Sequence, residues 1–416
     1  MRAHALTASS PRHLLLVALS LLALAPAVPL AQVLPPTPDE TGARVRVGPL
    51  FMNPTLSLSD VGMDTNLFND AQAERPKRDI AFALAPQTDV WMRLGRTWAT
   101  GTVRQNLVWF REYRDQRASN GDYRAGWVVP LTRLSVFVNG SWVRAKERPS
   151  FEIDTRANRK EGSVHLAAEY RLWSRTLVGA RAERRSIRFG GDSFFERQDL
   201  HEQLSRTRTL GVLTLRRELT PLTSLTAEVS RYRDRFAVSP TRDAASLQGS
   251  VGLRFDPAGI IRGSAQVGYR QFTPVSDEIP AFTGTTASAS LSFVTPSATV
   301  VTAEVARDLE YSVEDRQPYY VLSGIGVSAV QRVFGPLEVL GRVGYRTLSY
   351  RNSAVGVNTF AAVRRDRVVI VGGGPSYRLG PRVRTSLDIE RHERTSPIVD
   401  RRYRGFRYGV TLTYGL

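Results

Sequence analysis

Arginine residues carry the chemistry that this sequence offers most clearly. The 416-residue chain contains 57 lysines and arginines against 39 acidic residues, a formal net charge of +18. In several segments the arginines stand at even spacing and alternate with apolar residues, as at Arg262 and Arg270 and at Arg382 and Arg384. A guanidinium group binds carboxylates and phosphates through paired hydrogen bonds, so a face with several of them would attract anions.

The alternation assigns a set of charged residues to one polar face. We expect that face to carry Arg93, Arg104, Arg124, Arg171, Arg254, Arg262, Arg270, Arg342, Arg346, Arg382, Arg384 and Arg407, with the acids Asp89, Glu169, Glu228, Glu304, Glu338, Asp388 and Glu390. Because the arginines outnumber the acids, the face favours anions if it lines an aqueous channel. The alternative is that the mixed charges only hydrate the wall and brace it through ion pairs.

Catalytic and metal chemistry have weaker support. The chain contains 0 cysteines, which excludes disulfides, thiol nucleophiles and cysteine-based metal sites. His201 lacks the second histidine of a zinc-protease motif. His392 with Glu390, and His165 with Glu169, could each form an acid–histidine pair, but a single strand supplies neither a nucleophile nor oxyanion donors. We therefore expect no enzyme, no metal and no cofactor.

The N-terminus predicts export. Arg2 and Arg12 precede an apolar run over residues 14–25, and small residues such as Ala31 follow it. This is typical of a secretory signal peptide and is too short for a membrane-spanning helix. We predict a signal peptide at 1–31, a periplasmic linker at 32–47 that is extended over 33–40, and the exported domain at 48–416. An exported protein does not meet the chromosome, so we expect no nucleic-acid partner.

Strands must position the polar face, because the apolar residues of the exported part recur with period two. Segments such as 48–58, 79–94 and 244–255 are longer than the strands of a soluble sandwich, which usually have about five or six residues. The connections between segments alternate between short and long, as in bacterial outer-membrane barrels. The sequence thus predicts an all-β fold, a transmembrane antiparallel up-and-down β-barrel of about 18 strands, with 16 as the alternative.

Two long charged connections are candidates for a constriction. They lie near 146–160 and 190–205, and a barrel of this width leaves an aqueous lumen unless loops fold in. The alternative is that these loops stay at the surface for adhesion or contact with lipopolysaccharide.

Several short motifs resemble one known family. They are PTLSL at 54–58, DTNLF at 64–68, LTPLTSL at 219–225 and GYR at 268–270. The resemblance is to the putative β-barrel porin 2 family, and it covers essentially the whole exported part. It implies a large outer-membrane pore, and in some members a link to exopolysaccharide export.

We therefore expect passive conduction across the outer membrane. The most specific version of this hypothesis is a pore for the export of an acidic exopolysaccharide. The alternatives are a general or anion-selective porin, an outer-membrane hydrolase, and a structural or adhesive barrel. The expected partners are outer-membrane lipid and lipopolysaccharide, the barrel-assembly machinery, and periplasmic polysaccharide-export components. Barrels of this kind often end on an aromatic residue that the assembly machinery reads, whereas here Tyr414 is third from the end.

Overall fold

Long antiparallel strands make up most of the computed structural model, which describes residues 42–353 and 364–415. The strands are β1 (Leu50–Asp64), β2 (Asp79–Leu94), β3 (Thr97–Phe110), β4 (Ala118–Pro130), β5 (Leu134–Glu147), β6 (Ala157–Trp173), β7 (Thr176–Phe189), β8 (Arg206–Thr220), β9 (Thr223–Phe236), β10 (Ala244–Phe255), β11 (Ile261–Pro274), β12 (Phe282–Val294), β13 (Val300–Tyr311), β14 (Tyr319–Phe334), β15 (Leu337–Arg351), β16 (Arg365–Arg378), β17 (Val383–Thr395) and β18 (Tyr403–Tyr414).

The strands close into one barrel. Each strand pairs antiparallel with its neighbours in sequence, and β18 pairs with β1 from Leu56–Tyr414 to Asp64–Arg407. Closure leaves the 18-strand sheet without a free edge. The predicted fold class and the preferred strand number are thus confirmed.

The predicted strand limits agree closely with the structure except at the first strand. The segments 79–94 and 244–255 are strands over those same residues, whereas β1 continues six residues past the predicted end at 58. The register shifts between Ser59 and Gly62, and Asp60 has a φ of 56°. This β-bulge interrupts the alternation that the sequence prediction followed.

The N-terminal approach to the barrel is described from residue 42 onward. The predicted signal peptide, and residues 32–41 of the predicted linker, lie outside the described residues. In the last part of that linker, Val45–Val47 forms a short strand against Leu50–Met52 of β1.

Alternation along the strands separates an apolar outer face from a polar inner face. Val229 and Leu213 are exposed on the outside, whereas Glu228 and Thr214 on the same strands are buried on the inside. Among the tryptophans, Trp127 and Trp142 are exposed outward, as an aromatic girdle requires, but Trp91 faces inward and is buried. No helix in the described part of the chain is both long and apolar enough to cross a membrane.

The two ends of the barrel differ. Short turns such as 95–96, 174–175 and 335–336 lie at one end of the barrel, where β1 begins and β18 ends. The long loops lie at the opposite end. In outer-membrane barrels the short turns are periplasmic. We therefore call the end with the long loops the external end.

Candidate pore lumen

One external loop, residues 148–156, crosses the lumen; we call it the inward loop. The loop connects β5 to β6. On the opposite side of the barrel it contacts β15 and the external end of β17, and it also contacts the loops that precede β14 and β18. In an 18-strand barrel, β5 and β15 are on nearly opposite sides. The inward loop therefore divides the external half of the lumen in two.

Glu152 is the main anchor of the inward loop. It is 0% exposed, and its carboxylate accepts hydrogen bonds from Ser312 Oγ at 2.5 Å and from the Val313 backbone N–H at 3.0 Å. Its backbone carbonyl accepts from Arg394 Nη1 at 3.2 Å and from Arg401 Nη1 at 3.0 Å. A loop held by donors from three other elements has few alternative positions.

Charged groups hold the rest of this loop. Arg394 is 1% exposed and forms ion pairs with Asp154 at 3.0 Å and Asp366 at 2.6 Å. Burial raises the pKa of the Glu152 and Asp154 carboxyls above their ordinary values. Burial also lowers the pKa of the Arg156 guanidinium to about 10, with further lowering from the nearby Arg148 and Arg407.

An apolar cluster fills one side of the divided lumen. Its members come from the external ends of strands, from the inward loop, from the loop 190–205 and from the loop before β14, and they are Ile153, Ala157, Phe189, Leu200, Leu204, Phe236, Ala244, Phe272, Phe282, Leu309, Tyr311, Val313, Tyr319 and Val321. The buried Arg242 ties the cluster together by donating to Gln203 Oε1 at 2.6 Å and to the carbonyls of Ser312 and Pro318 at 2.7 and 2.9 Å. Burial lowers the pKa of Arg242 to about 10.

Strand β13 takes part in this filling. Its pairing with β12 ends at Arg307–Ala287, whereas its pairing with β14 continues to Tyr311. Beyond Arg307 the strand leans into the lumen, where the Tyr311 hydroxyl donates to Asp234 at 3.1 Å. This local separation explains why Leu309 and Tyr311 are buried although their positions predict an outward face.

A cavity of about 540 Å³, lined by charged, amide and apolar side chains, lies on the other side of the inward loop. Residues of β1 to β4 and of β15 to β18 line it together with the loop itself, among them Asp64, Asn106, Asn120, Arg156, Glu390 and Arg407. Charges of both signs face it. Arg407 forms ion pairs with Asp64 at 2.9 Å and Glu390 at 3.8 Å.

Most of the arginines predicted for the inner face lie there, but carboxylates neutralise many of them. The pairs are Arg124–Asp122, Arg171–Glu218, Arg270–Asp308, Arg342–Asp388 and Arg342–Glu390, Arg384–Glu338, and Arg407–Asp64. These partners sit on the same or nearby strands or turns, so the ion pairs run along the wall. The geometry matches the bracing alternative for these residues more closely than a set of free anion sites.

The remaining predicted arginines have other surroundings. Arg104 donates to Gln87 at 2.8 Å, and Arg262 donates to the Gly259 carbonyl at 2.9 Å. Arg254 is half-buried on the inner face of β10, and Arg93 donates to the Gly95 carbonyl at 3.1 Å. Arg382 is the exception, because it is exposed in the turn before β17. It directly precedes β17, which begins at Val383, and its carbonyl accepts a hydrogen bond from the Gly415 N–H at 2.8 Å.

Arg346 has a distinct role in the lumen. It is 2% exposed, and its guanidinium lies 4.3 Å from the Phe151 ring centroid of the inward loop. A cation over an aromatic face is stabilising when both groups are desolvated. Arg346 therefore helps to hold the inward loop rather than pointing freely into solvent.

Two of the acids predicted for the inner face, Glu228 and Glu304, face inward and are buried. Within the described part of the chain, Glu228 Oε2 and Glu304 Oε2 have no hydrogen-bond partner. Arg181, which the sequence analysis did not assign to the lumen, is also inward and 7% exposed. These groups keep the wall below the inward loop polar.

The two acid–histidine pairs considered in the sequence do not form among the described residues. Asp388 and Glu390 bind Arg342, and neither ring nitrogen of His392 has a hydrogen-bond partner among the described residues. Glu169 binds Arg216 at 2.9 Å, and the His165 ring packs on Phe137. An arginine two strands away competes better for each carboxylate than a neutral imidazole on the same strand.

Sequence reasoning missed the anchors of the inward loop, namely Glu152, Arg394 and Arg401. The length and charge of the segments 146–160 and 190–205 predicted which loops would enter the lumen. No local pattern marked the anchors themselves, because their partners lie more than 150 residues away in the sequence.

The fold and the lumen define an outer-membrane barrel of the porin type, and the sequence comparison names the family. The model of the putative beta-barrel porin 2 family matches residues 42–415. The chain belongs to that family. The curated proteins include no detectable match.

Solved outer-membrane barrels resemble the chain at low identity. A BenF-like porin from Pseudomonas fluorescens Pf-5 has 10% identity and a TM-score of 0.49, over 88% of this chain and 98% of that one. OpdK from Pseudomonas aeruginosa, solved with vanillate, has 8% identity and a TM-score of 0.47 over the same shares. The alcaligin receptor FauA from Bordetella pertussis has 10% identity and a TM-score of 0.43, over 83% of this chain and 61% of its own length.

Proposed function

We propose that this protein is a passive, non-enzymatic pore for small hydrophilic solutes, and that its route lies on the polar side of the inward loop. The observation that carries the proposal is the division of the lumen. The apolar cluster occupies one side, while a cavity of about 540 Å³ with charged and amide side chains stays on the other. Polar side chains facing water are what a solute needs along its route.

The charge pattern supports weak ionic selectivity. Arginine and carboxylate groups alternate around the cavity, as in the Arg407 contacts with Asp64 and Glu390. A paired guanidinium attracts a passing anion less than a free one, because its field is largely cancelled at short range. We therefore expect a small anion preference. It should be smaller than the preference that the number of inward arginines alone would predict.

Export of an acidic exopolysaccharide is the finer alternative that the family resemblance suggested. A polymer in transit would need the inward loop to leave its site at Ser312, Arg394 and Arg401. Small solutes need no such rearrangement. We therefore place polymer export second and treat release of this loop as its requirement.

Liposome swelling tests the proposal. Vesicles that contain the refolded protein should admit a neutral monosaccharide, and replacement of residues 148–156 by a short Gly-Ser linker should raise the size limit to larger oligosaccharides. The matched control replaces residues 111–117, an external loop whose hydrogen bonds stay with nearby strands and Lys146. This control should keep the wild-type size limit.

Two results would contradict the proposal. One is a wild-type protein that admits neither sugars nor ions. The other is a size limit that stays the same without the inward loop. Polymer export gains support only if a labelled acidic oligosaccharide crosses in the variant without the loop and not in the wild type.

A further inference from the structure

A group of cations with no role in the lumen lies on the outer face of the barrel near its external end. We call it the basic patch. Its members are Lys160 on β6, Arg184 and Arg188 on β7, and Arg231, Arg233 and Arg235 on β9, and all six are exposed.

The strand register brings these side chains together. Thr209 of β8 pairs with Arg184 on one side and with Arg233 on the other. Arg188 pairs with Lys160. Adjacent strands are about 4.8 Å apart and alternate residues about 7 Å apart, so the cations form one continuous surface.

Strand β8 contributes only small side chains between the two rows of arginines. Its outward positions here are Thr207, Thr209 and Gly211, and a Cβ added at Gly211 would meet nothing within 4 Å. The result is a shallow groove with basic walls, wide enough for a group to reach both rows.

The cations of the basic patch have no internal partners. None of the six forms a hydrogen bond or ion pair with any residue in the described ranges 42–353 and 364–415. Elsewhere on the outer face, by contrast, Arg391 and Arg404 share Glu393 at 2.5 and 3.3 Å. On the inward face of the same strand β9, Asp234 binds Arg208 at 2.8 Å.

The basic patch begins where the apolar band ends. Val229 is 54% exposed and stands two residues before Arg231 on the same face of β9, and Leu213 of β8 is 65% exposed. Towards the external end, every outward position of β9 from 231 to 235 is arginine. In a membrane this places the guanidinium groups at the height of the lipid headgroups of the outer leaflet.

We propose that the basic patch binds the phosphate groups of outer-leaflet lipopolysaccharide. Several arginines in a row present the paired donors that phosphate accepts, and the adjoining apolar band contacts the acyl chains of the same molecule. The patch thus takes the place of the divalent cations that otherwise screen neighbouring lipid phosphates. Repulsion among six unpaired cations is relieved when these phosphates bind.

Binding of purified lipid A to the refolded full-length protein, measured in a detergent of zero net charge with EDTA present, tests this proposal. Diphosphorylated lipid A should bind the wild type, and R231Q/R233Q/R235Q should lower its affinity about tenfold or more, as expected for loss of several charge-assisted hydrogen bonds. The matched control R96Q/R133Q/R175Q removes the same charge from exposed periplasmic turns. It should bind like the wild type.

Three results would overturn the proposal: equal binding by the patch variant and the wild type, equal loss in the patch and control variants, or equal affinity for lipid A stripped of its phosphates. Far-ultraviolet circular dichroism and heat-dependent gel mobility establish that each variant has folded. The variant R231K/R233K/R235K keeps the charge, so it should retain more binding than the glutamine variant.

Discussion

Glu152 is a carboxylic acid whose environment is made by loops rather than by the barrel wall. Burial raises the pKa of its carboxyl, while Ser312, Arg401 and Val313 oppose the rise by stabilising the charged form. Glu314 adds to the rise through like charge. Because the neutral acid is favoured in the inward position, the stability of that position depends on pH.

The sign of this dependence follows from the raised pKa. The contribution of Glu152 is fully present below its ordinary value of 4.5 and is lost as the pH rises through the raised value. Hydrogen exchange of residues 148–156, corrected for the intrinsic rate, should show protection that falls as the pH rises from 4.5 through the raised pKa of Glu152. E152Q should show a flatter profile, with the remaining slope due to Asp154, whose pKa is also raised. Protection that increases over this range in the wild type would contradict the assignment.

Arg401 contacts three acidic residues of the external loops. It forms ion pairs with Glu196 at 2.6 Å and Glu314 at 2.8 Å, and it donates to the Glu152 carbonyl. R401Q should destabilise the inward position of the loop by about 1–3 kcal/mol, since both acids are partly exposed and can hydrate.

Faster hydrogen exchange in residues 148–156 of R401Q, with unchanged exchange in the strands, would agree with this role. The control is R391Q, which removes an exposed arginine paired with Glu393 and should change little. Equal effects of the two substitutions would contradict the role of Arg401.

At the scale of elements, the junction of β12 and β13 is incomplete at its external end. Residues 282–286 of β12 pair with β11 but not with β13, whose external end leans into the lumen. Amides of β12 that point towards β13 there lack ladder hydrogen bonds. They should exchange faster than amides at the external end of β14, which is paired on both sides. Equal protection at the two sites would mean that the wall is continuous.

Strand positions could be predicted well because each strand faces lipid on one side and polar groups on the other. That contrast repeats with period two and ends at turn residues, so segments such as 79–94 and 244–255 were found with correct limits. The predicted limit was wrong where the contrast is interrupted at the bulge around Asp60, and the contrast is weak in β8, although that strand was predicted. There Leu210 and Val212 face inward and pack on Tyr232, which weakens the alternation.

At the scale of the whole molecule, the sequence predicted the barrel but not the filling of its lumen. Alternation identifies which face a residue occupies, and it says nothing about which inward residues meet across the barrel. The ion pairs between Arg342 and Asp388 and between Arg394 and Asp154 depend on strand order and on the path of a loop. A count of the inward arginines therefore overestimates the positive charge that is free to attract anions.

The central claim is that ions and solutes pass on the polar side of the inward loop and not through the apolar cluster. The chain has 0 cysteines, so a single introduced thiol can be modified selectively. Asn106 lines the cavity beside the inward loop, whereas Ser246 is inward, 5% exposed, and bonded to Arg270 on the other side. The variants N106C and S246C therefore form a matched pair.

The most direct measurement is the single-channel current of each variant in a planar bilayer, before and after an anionic methanethiosulfonate reagent is added. We predict a steady conductance in both variants, a stepwise fall in current for N106C after modification, and an unchanged current for S246C. A silent bilayer, an unaffected N106C channel with confirmed labelling, or an equal fall in both variants would contradict this account.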